Sequence, residues 1–466
     1  MNADPARTTP NATTATTAPT ATTAPTAPPT FWRAFAYWLR LGCISFGGPA
    51  GQIALMHEDL VERRRWISER RYLHALNYCM VLPGPEAQQL ATYIGWLMHR
   101  TWGGIVAGTL FVLPSWLILI ALSWLYLSWG HLPAVAGVLD GIKPAVTAIV
   151  VAAAVRIGGR ALRNRWLWAI AVAAFVAIFA LGLPFPLIVL LAGLAGHLGG
   201  RWRPQQFSLG GGHGKAVASA GPAVIDDDTP TPDHARFSWG RLARVAAVCI
   251  GLWLAAMAAL IGLLGMDAVL TQMAWFFTKA ALLTFGGAYA VLPYVYQGAV
   301  AHFQWLTPAQ MIDGLALGET TPGPLIMVVS FVGFVGGWTQ ALFGPEAQLL
   351  AGVVASALVT FFTFLPSFFF IFAGGPFIET THGKLGYTAP LSGITAAVVG
   401  VIVNLALFFA LHVLWPRGLD GPFAWQAAVI GVVAGVALIR FKVGVIAVVL
   451  ASGLAGWLLS WLRLAG

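Results

Sequence analysis

Two short stretches of this 466-residue chain hold the residue types from which a site could be built, Leu82-Pro83-Gly84-Pro85-Glu86 and Thr320-Thr321-Pro322-Gly323-Pro324. Each lies inside an apolar segment, and neither can continue as ordinary helix. A proline removes a backbone donor, and its ring clashes with the carbonyl four residues back. The residue before it is pushed out of the α region. In a membrane such a break survives only where the freed backbone meets protein or lines a wet cavity. Pro85 and Pro324 each suit the first position of a new half-helix, where no donor is needed. The N–H groups of Glu86, Ala87 and Gln88, and of Leu325, Ile326 and Met327, would then point along the helix axis into the break. Such an end carries about half a positive charge and binds anions through its free donors. Gly84 and Gly323 let a ligand approach the backbone closely. A kink used only for packing is the competing reading of one break; a duplicated Pro-Gly-Pro pair with polar flanks favours a midplane anion site.

The charged residues near these breaks suggest coupling. Glu86 in an apolar segment is costly and a functional candidate by default. It could be ionised while the site is empty and protonated while an anion occupies it, which couples transport to protons; the alternative is a carboxylate that only caps a helix start. Glu319, with Thr320 and Thr321, flanks the second break. Lys143, in Gly141-Ile142-Lys143-Pro144, could hold a dianion, pair with a carboxylate, or snorkel to an interface. Gln88, Gln89, Gln52 and Asn404 are further donors. Cys43, Cys79 and Cys249 form no CxxC pair and no metal pattern. Walker, dinucleotide, flavin, nucleophile-elbow and haem signatures are absent, so neither cofactor nor enzyme chemistry is expected.

The elements that must position these residues are membrane helices. The chain is 58% hydrophobic and 9% charged, against about 25% charged in soluble domains. Apolar stretches of about 20 residues recur, which means helices rather than a barrel. The fold class is an all-α polytopic membrane protein of about 10 to 13 spans, in contact with lipid. A nucleic-acid partner is not expected of a net charge of +9 carried in short loops; the possibility of a homodimer is left open.

Residues 1–30 are a Thr/Ala/Pro tail without the apolar core of a signal peptide. An N-terminal unit spans 31–200, with segments 31–57 (interrupted at Phe46-Gly47-Gly48-Pro49-Ala50-Gly51), 72–98, 102–128, 132–157, 165–182 and 184–200. A polar linker, read as cytoplasmic, covers 201–240, and a connecting span covers 241–264. The C-terminal unit, 265–466, holds segments 273–299, 312–338, 348–372, 390–413, 424–440 and 443–461.

The two units are copies. Phe46-Gly47-Gly48, Trp66 and Pro83-Gly84-Pro85 recur 239 residues on as Phe285-Gly286-Gly287, Trp305 and Pro322-Gly323-Pro324. Leu113-Pro114-Ser115 and Gly141-Ile142 recur after 252 residues, with Thr395 in place of Lys143, and Gly193-Leu194-Ala195-Gly196 after 260. Span 241–264 has no counterpart, so even-numbered repeats would face opposite ways, a common build of secondary transporters with discontinuous helices. Positive-inside counting puts the linker and Arg156–Arg165 on one side, joined by Lys384, Arg440 and Lys442, with Arg417 and Arg463 against. The Arg63–Arg71 loop, read as a topology and headgroup feature, fits if 31–57 and 72–98 are re-entrant. Their length of about 26 residues instead favours full crossings.

The stretch from Phe46-Gly47-Gly48-Pro49-Ala50-Gly51 through Trp66 to Leu82-Pro83-Gly84-Pro85-Glu86-Ala87-Gln88-Gln89 and Gly95-Trp96 resembles the chromate ion transporter family. Phe285-Gly286-Gly287 and Thr320-Thr321-Pro322-Gly323-Pro324 fit its long, two-domain form, and the resemblance covers about residues 31–461. It implies a multi-pass protein of the bacterial inner membrane that exports chromate, driven by the proton gradient or membrane potential, and confers chromate resistance. Sulfate is a similar tetrahedral dianion, so a sulfate or other oxyanion transporter is the alternative. The family's functional residues carry over to Gly47, Gly48, Pro83, Gly84, Pro85 and Glu86, and to Gly286, Gly287, Pro322, Gly323 and Pro324.

Overall fold

The computed structural model describes residues 28–46, 48–207, 222–381 and 388–465. Gly47, most of the N-terminal tail, part of the linker and Lys384 lie outside them. Seven of the described helices are long and apolar enough to cross a membrane, and no strand forms among the described residues.

The first half opens with short legs. Helix α1, Phe31–Ile44, starts at Thr30, whose hydroxyl accepts from the Arg33 N–H. Helix α2, Gly48–His57, runs into a π turn at Glu58–Arg63. Helix α3, Glu69–Cys79, is capped by Ser68. The helical run Glu86–Trp129 is not one rod, because His99 (φ −133°) and Arg100 (φ 57°) leave the helical region. The chain reverses there: a Cβ placed on Gly95 would lie 2.5 Å from the Gly103 carbonyl oxygen and 2.6 Å from Ala107 Cβ. Residues 86–98 are therefore α4 and residues 101–129 are α5, packed antiparallel. Helices α6 (Pro133–Ala161), α7 (Arg165–Phe179) and α8 (Phe185–Trp202) follow.

Helix α9, Trp239–Leu264, carries the chain to the second half. There α10 (Val269–Leu282) and α11 (Ala288–Tyr296) flank one break, and α12 (Pro308–Thr320) and α13 (Val328–Thr339) flank the other. Helices α14 (Gln348–Thr381), α15 (Thr388–Leu414), α16 (Trp425–Ile439) and α17 (Val445–Ala465) complete the chain. The copy is close in detail: π turns sit at Glu58–Arg63 and Gln297–His302, each followed by a left-handed residue, Arg65 at φ 55° and Gln304 at φ 54°.

The linker fixes the sides. Ile225 bridges to Ile67, Ser68 Oγ donates to Asp227 Oδ1 at 2.6 Å, and Arg71 donates to the Thr229 carbonyl at 2.5 Å. The α4–α5 turn shares that face, with the His234 ring bonded to the Trp96 carbonyl at 2.9 Å. Pairs α1/α2 and α3/α4 therefore enter from the linker face and return to it. This corrects the expectation of full crossings. Legs of 14, 10 and 11 residues reach only about 15–21 Å, roughly half of a membrane; the Gly and Pro residues fold the segment back instead of bending it. The Arg63–Arg71 loop then lies beside the linker, and the charge conflict disappears.

The second half does the same from the other face. Helix α14 runs antiparallel to α13, with Gly333 against Ala355 and Gly337 against Ala351, and reaches the linker face where Glu379 meets Arg71 at 3.5 Å. The α13–α14 turn is thus on the opposite face, and the repeats are inverted. Their outer helices interlock. Gly141 of α6 packs on Gly456 of α17, and Gly393 of α15 packs on Gly196 of α8, so close that a Cβ on Gly141 or Gly393 would lie 2.7 or 2.8 Å from the facing Cα. These repeated glycines serve close helix crossing.

Candidate functional site

The tips of the re-entrant pairs meet crosswise. Gly84 N–H donates to the Thr284 carbonyl at 2.7 Å, and Gly323 N–H donates to the Ser45 carbonyl at 2.8 Å. Each residue of one bond lies 239 positions from its equivalent in the other, so the bonds are exchanged by a pseudo-two-fold. Both glycines need positive φ, 123° and 105°. A Cβ on Gly84 would come within 2.6 Å of Ser367 Oγ, and one on Gly323 within 2.7 Å of Ser115 Cβ. The repeated Leu-Pro-Ser serines thus close over the opposite repeat's Pro-Gly-Pro. Gln52 serves one half only, donating to the carbonyls of Gly323 (2.5 Å) and Ser45 (3.2 Å).

The half-helix starts differ from expectation by one position. Pro85 is the cap of α4 (φ −78°, ψ 105°) and Glu86 its first helical residue. Pro324 likewise caps a 3-10 turn, Leu325–Met327, before α13. The first-turn N–H groups of α4, on Glu86, Ala87 and Gln88, are the donors a helix leaves over. At the second break the tighter turn closes the Met327 N–H onto the Pro324 carbonyl at 2.9 Å. Only Leu325 and Ile326 keep free donors there, so Met327 drops out of the expected set.

Pro83, Gly84 and Pro85 are buried, as are Thr321, Pro322, Gly323 and Pro324. Gln88 is buried too, its amide donating to Thr92 Oγ1 at 3.1 Å and its Oε1 without a partner among the described residues. Gln89 donates to the Pro83 carbonyl at 2.7 Å, bracing the break from within. The hydroxyls of Thr320 and Thr321 donate to the Leu317 carbonyl at 2.9 and 2.6 Å, which occupies them inside α12.

A cavity of about 710 Å³ runs from the linker face to the tips. Glu86, Gly286, Gly287 and Tyr289 line its deep end, and His57, Glu62, Arg156 and Arg160 its wall. Gly48 (φ 69°) begins α2 beside it. Tyr289 Oη donates to Glu319 Oε1, and Arg156 lies within electrostatic reach of that carboxylate. Glu86 and Glu319 are not equivalents, since their counterparts at the 239 offset are Leu325 and Met80.

Lys143 is elsewhere. It pairs with Asp140 at 3.0 Å and with Asp313 at 3.8 Å, beside a separate cavity of about 370 Å³ on the far face. Tyr126 Oη donates to Asp313 Oδ2 at 2.9 Å. Of the possibilities for Lys143, carboxylate pairing is the one observed. Sequence reasoning missed Arg156, Tyr289 and Asp313. Asp313 in its apolar run was a readable signal by the cost of an intramembrane carboxylate; Arg156 was hidden within a run of arginines.

Inverted repeats whose broken helices meet at buried tips, reached by a cavity from one face, define a polytopic membrane protein of the discontinuous-helix kind. The chain belongs to the chromate transporter family, whose model matches residues 32–197 and 271–457. It is 33% identical over 447 residues to a chromate transport protein of Pseudomonas aeruginosa, covering 92% of this chain and 93% of that one. It is 31% identical to a chromate transport protein of Cupriavidus metallidurans, covering 80% and 81%, and 30% identical to a probable chromate transport protein of Synechococcus elongatus, covering 79% and 81%. No solved structure matches the chain.

Proposed function

We propose that the chain is a secondary transporter that exports chromate across the bacterial inner membrane, driven by the proton gradient or the membrane potential, and so gives chromate resistance. The observation that carries this reading is the cavity joining the linker face to the start of α4. The curated relatives' names supply the ion. The face supplies the direction: the Arg63–Arg71 loop, Arg156–Arg165 and the linker share it, which supports a cytoplasmic placement. A cavity open there is loaded from inside.

The binding chemistry follows from the parts. A tetrahedral dianion at the α4 start would accept from first-turn N–H groups and meet the positive helix end. Glu86 beside it is a like charge, and two adjacent anions raise the proton affinity of the carboxylate. One proton carried outward with each dianion lowers the charge that must move but runs against an inward proton gradient, so at this stoichiometry the membrane potential is the driving force. The residual negative charge then travels outward with an inside-negative potential, worth about 2.3 kcal/mol per charge per 100 mV. Glu319, bonded to Tyr289, is a second carboxylate at the same depth.

The deciding experiment is uptake of labelled chromate by inverted vesicles under an imposed potential or pH gradient, with sulfate as competitor. Gradient-dependent uptake that sulfate inhibits weakly is the expected result. Failure of any gradient to drive uptake would sink export. Sulfate moved faster than chromate would reassign the substrate.

A further inference from the structure

We infer that Arg156 is the specificity residue that captures the dianion on the linker side, a role built into only one of the two repeats; this rests on the transport reading above. Arg156 makes no ion pair within 4 Å among the described residues. It lines the cavity together with Glu86, Gly286 and Tyr289. The Glu319 carboxylate accepts from the Tyr289 hydroxyl and makes no ion pair with Arg156 within 4 Å among the described residues. An unpaired guanidinium presents a planar fork of donors suited to two oxygens of a tetrahedral anion. Two other basic groups share that wall: His57, already held by Glu69 at 2.5 Å and Glu62 at 3.2 Å, and Arg160, one turn nearer the linker face in the last turn of α6.

The opposite repeat shows what the same place looks like without that function. His57, Arg156 and Arg160 have as counterparts Tyr296, Phe408 and His412, at offsets of 239, 252 and 252. There the rings pack against one another at a tilt. The Tyr296 and Phe408 rings are 4.3 Å apart and the Phe408 and His412 rings 3.9 Å. One repeat places charge around a cavity and the other fills the equivalent place with rings. An interfacial, headgroup-binding role for Arg156 is the rival. Arg160 sits in the last turn of α6 and Arg163 and Arg165 at the α6–α7 junction, whereas Arg156 lies more than a helical turn inward of Ala161.

The test compares wild type, Arg156→Gln, Arg156→Lys and Arg163→Gln by equilibrium binding of labelled chromate to the purified full chain and by initial rates in inverted vesicles. Loss of one charge-assisted contact predicts that Arg156→Gln raises Kd and KM about tenfold or more, with Vmax within about twofold. Arg156→Lys should recover much of the affinity, and Arg163→Gln, outside the cavity, should stay within about twofold of wild type. A Kd for Arg156→Gln within about twofold of wild type overturns the inference, and so does an equal rise in Arg163→Gln, which would make Arg156 a share of a diffuse basic surface. Wild type that binds chromate without moving it refutes export while the Kd comparison still decides Arg156. Should Arg156→Gln not insert, Arg156→Met supplies the same comparison.

Discussion

Gly84 gives its amide hydrogen to the Thr284 carbonyl across the repeat boundary, at 2.7 Å. The reciprocal bond from Gly323 to Ser45 makes the junction self-complementary, as in an isologous dimer interface. Two bonds related by a two-fold hold four chain breaks in one place. A displacement of one tip is therefore felt by both repeats.

Gly323→Ala should disrupt this junction. The backbone stands at φ 105°, and the new Cβ would meet Ser115 Cβ at 2.7 Å. Strain of about 1–3 kcal/mol is expected from the dihedral, with overpacking added. The measurement is the thermal midpoint of the detergent-solubilised protein. Adding Ser115→Gly should restore the steric share of the loss and leave the dihedral share.

Glu86→Gln should insert normally and abolish the pH dependence of transport, because the variant cannot exchange a proton where the dianion sits. Rates in vesicles between pH 6 and 8 check it; an unchanged profile removes Glu86 from coupling and leaves Glu319 as the carboxylate to test.

Lys143→Met should destabilise more than its surface position suggests, since it strips Asp313, whose side chain is 4% exposed, of its cationic partner. Breaking one side of a buried pair costs about 3–5 kcal/mol. Lys143→Met combined with Asp313→Asn should recover most of that loss, and a double-mutant cycle reads the coupling. Additive losses would mean that the two residues do not act as a pair.

Phe408→Ala should open the far face. Removing the ring at the centre of the Tyr296–Phe408–His412 cluster is expected to raise chromate leak in vesicles with no imposed gradient. A leak equal to wild type would assign the closure to other residues.

Docking of the linker should weaken on acidification. Burial, with Arg100 and Arg241 nearby, holds the His234 imidazole below its ordinary value, against the hydrogen bond to the Trp96 carbonyl. A base with a depressed folded pKa is docked in its neutral form, so the contribution is complete above the ordinary value and is lost as pH falls below it. Limited proteolysis near residue 234 should quicken below about pH 6, and His234→Ala should cleave at one rate across that range.

The breaks, the tandem copies and the inversion were legible because proline, glycine and an unpaired span are local or countable features. Whether 31–57 and 72–98 cross or return was not. An apolar stretch of that length has the same composition bent or straight, and the deciding bonds join residues hundreds of positions apart, such as Ser45 and Gly323. The role of Lys143 stayed open between a dianion, a carboxylate and the interface for a related reason. Its depth could be guessed from sequence, but its partner Asp313 arrives from the other repeat. Arg156 was read with its neighbours as a topology signal, since charge alone does not say which of four arginines faces a cavity. The Gly-Leu-Ala-Gly copies were clear as repeats, while their work as crossing points appears only when α6 meets α17 and α15 meets α8.

That interlocking has a consequence for how the molecule is made. The groove on α6 around Gly141 is filled by Gly456, near the end of the chain. During synthesis the first half must remain in the bilayer with that groove covered by lipid or by a chaperone until α17 arrives. Ribosomes that stop before α17 would release chains with a complete N-terminal half and an unmated helix, the kind of surface that membrane quality control removes. Helix α17 thus completes a crossing whose other side was made some three hundred residues earlier.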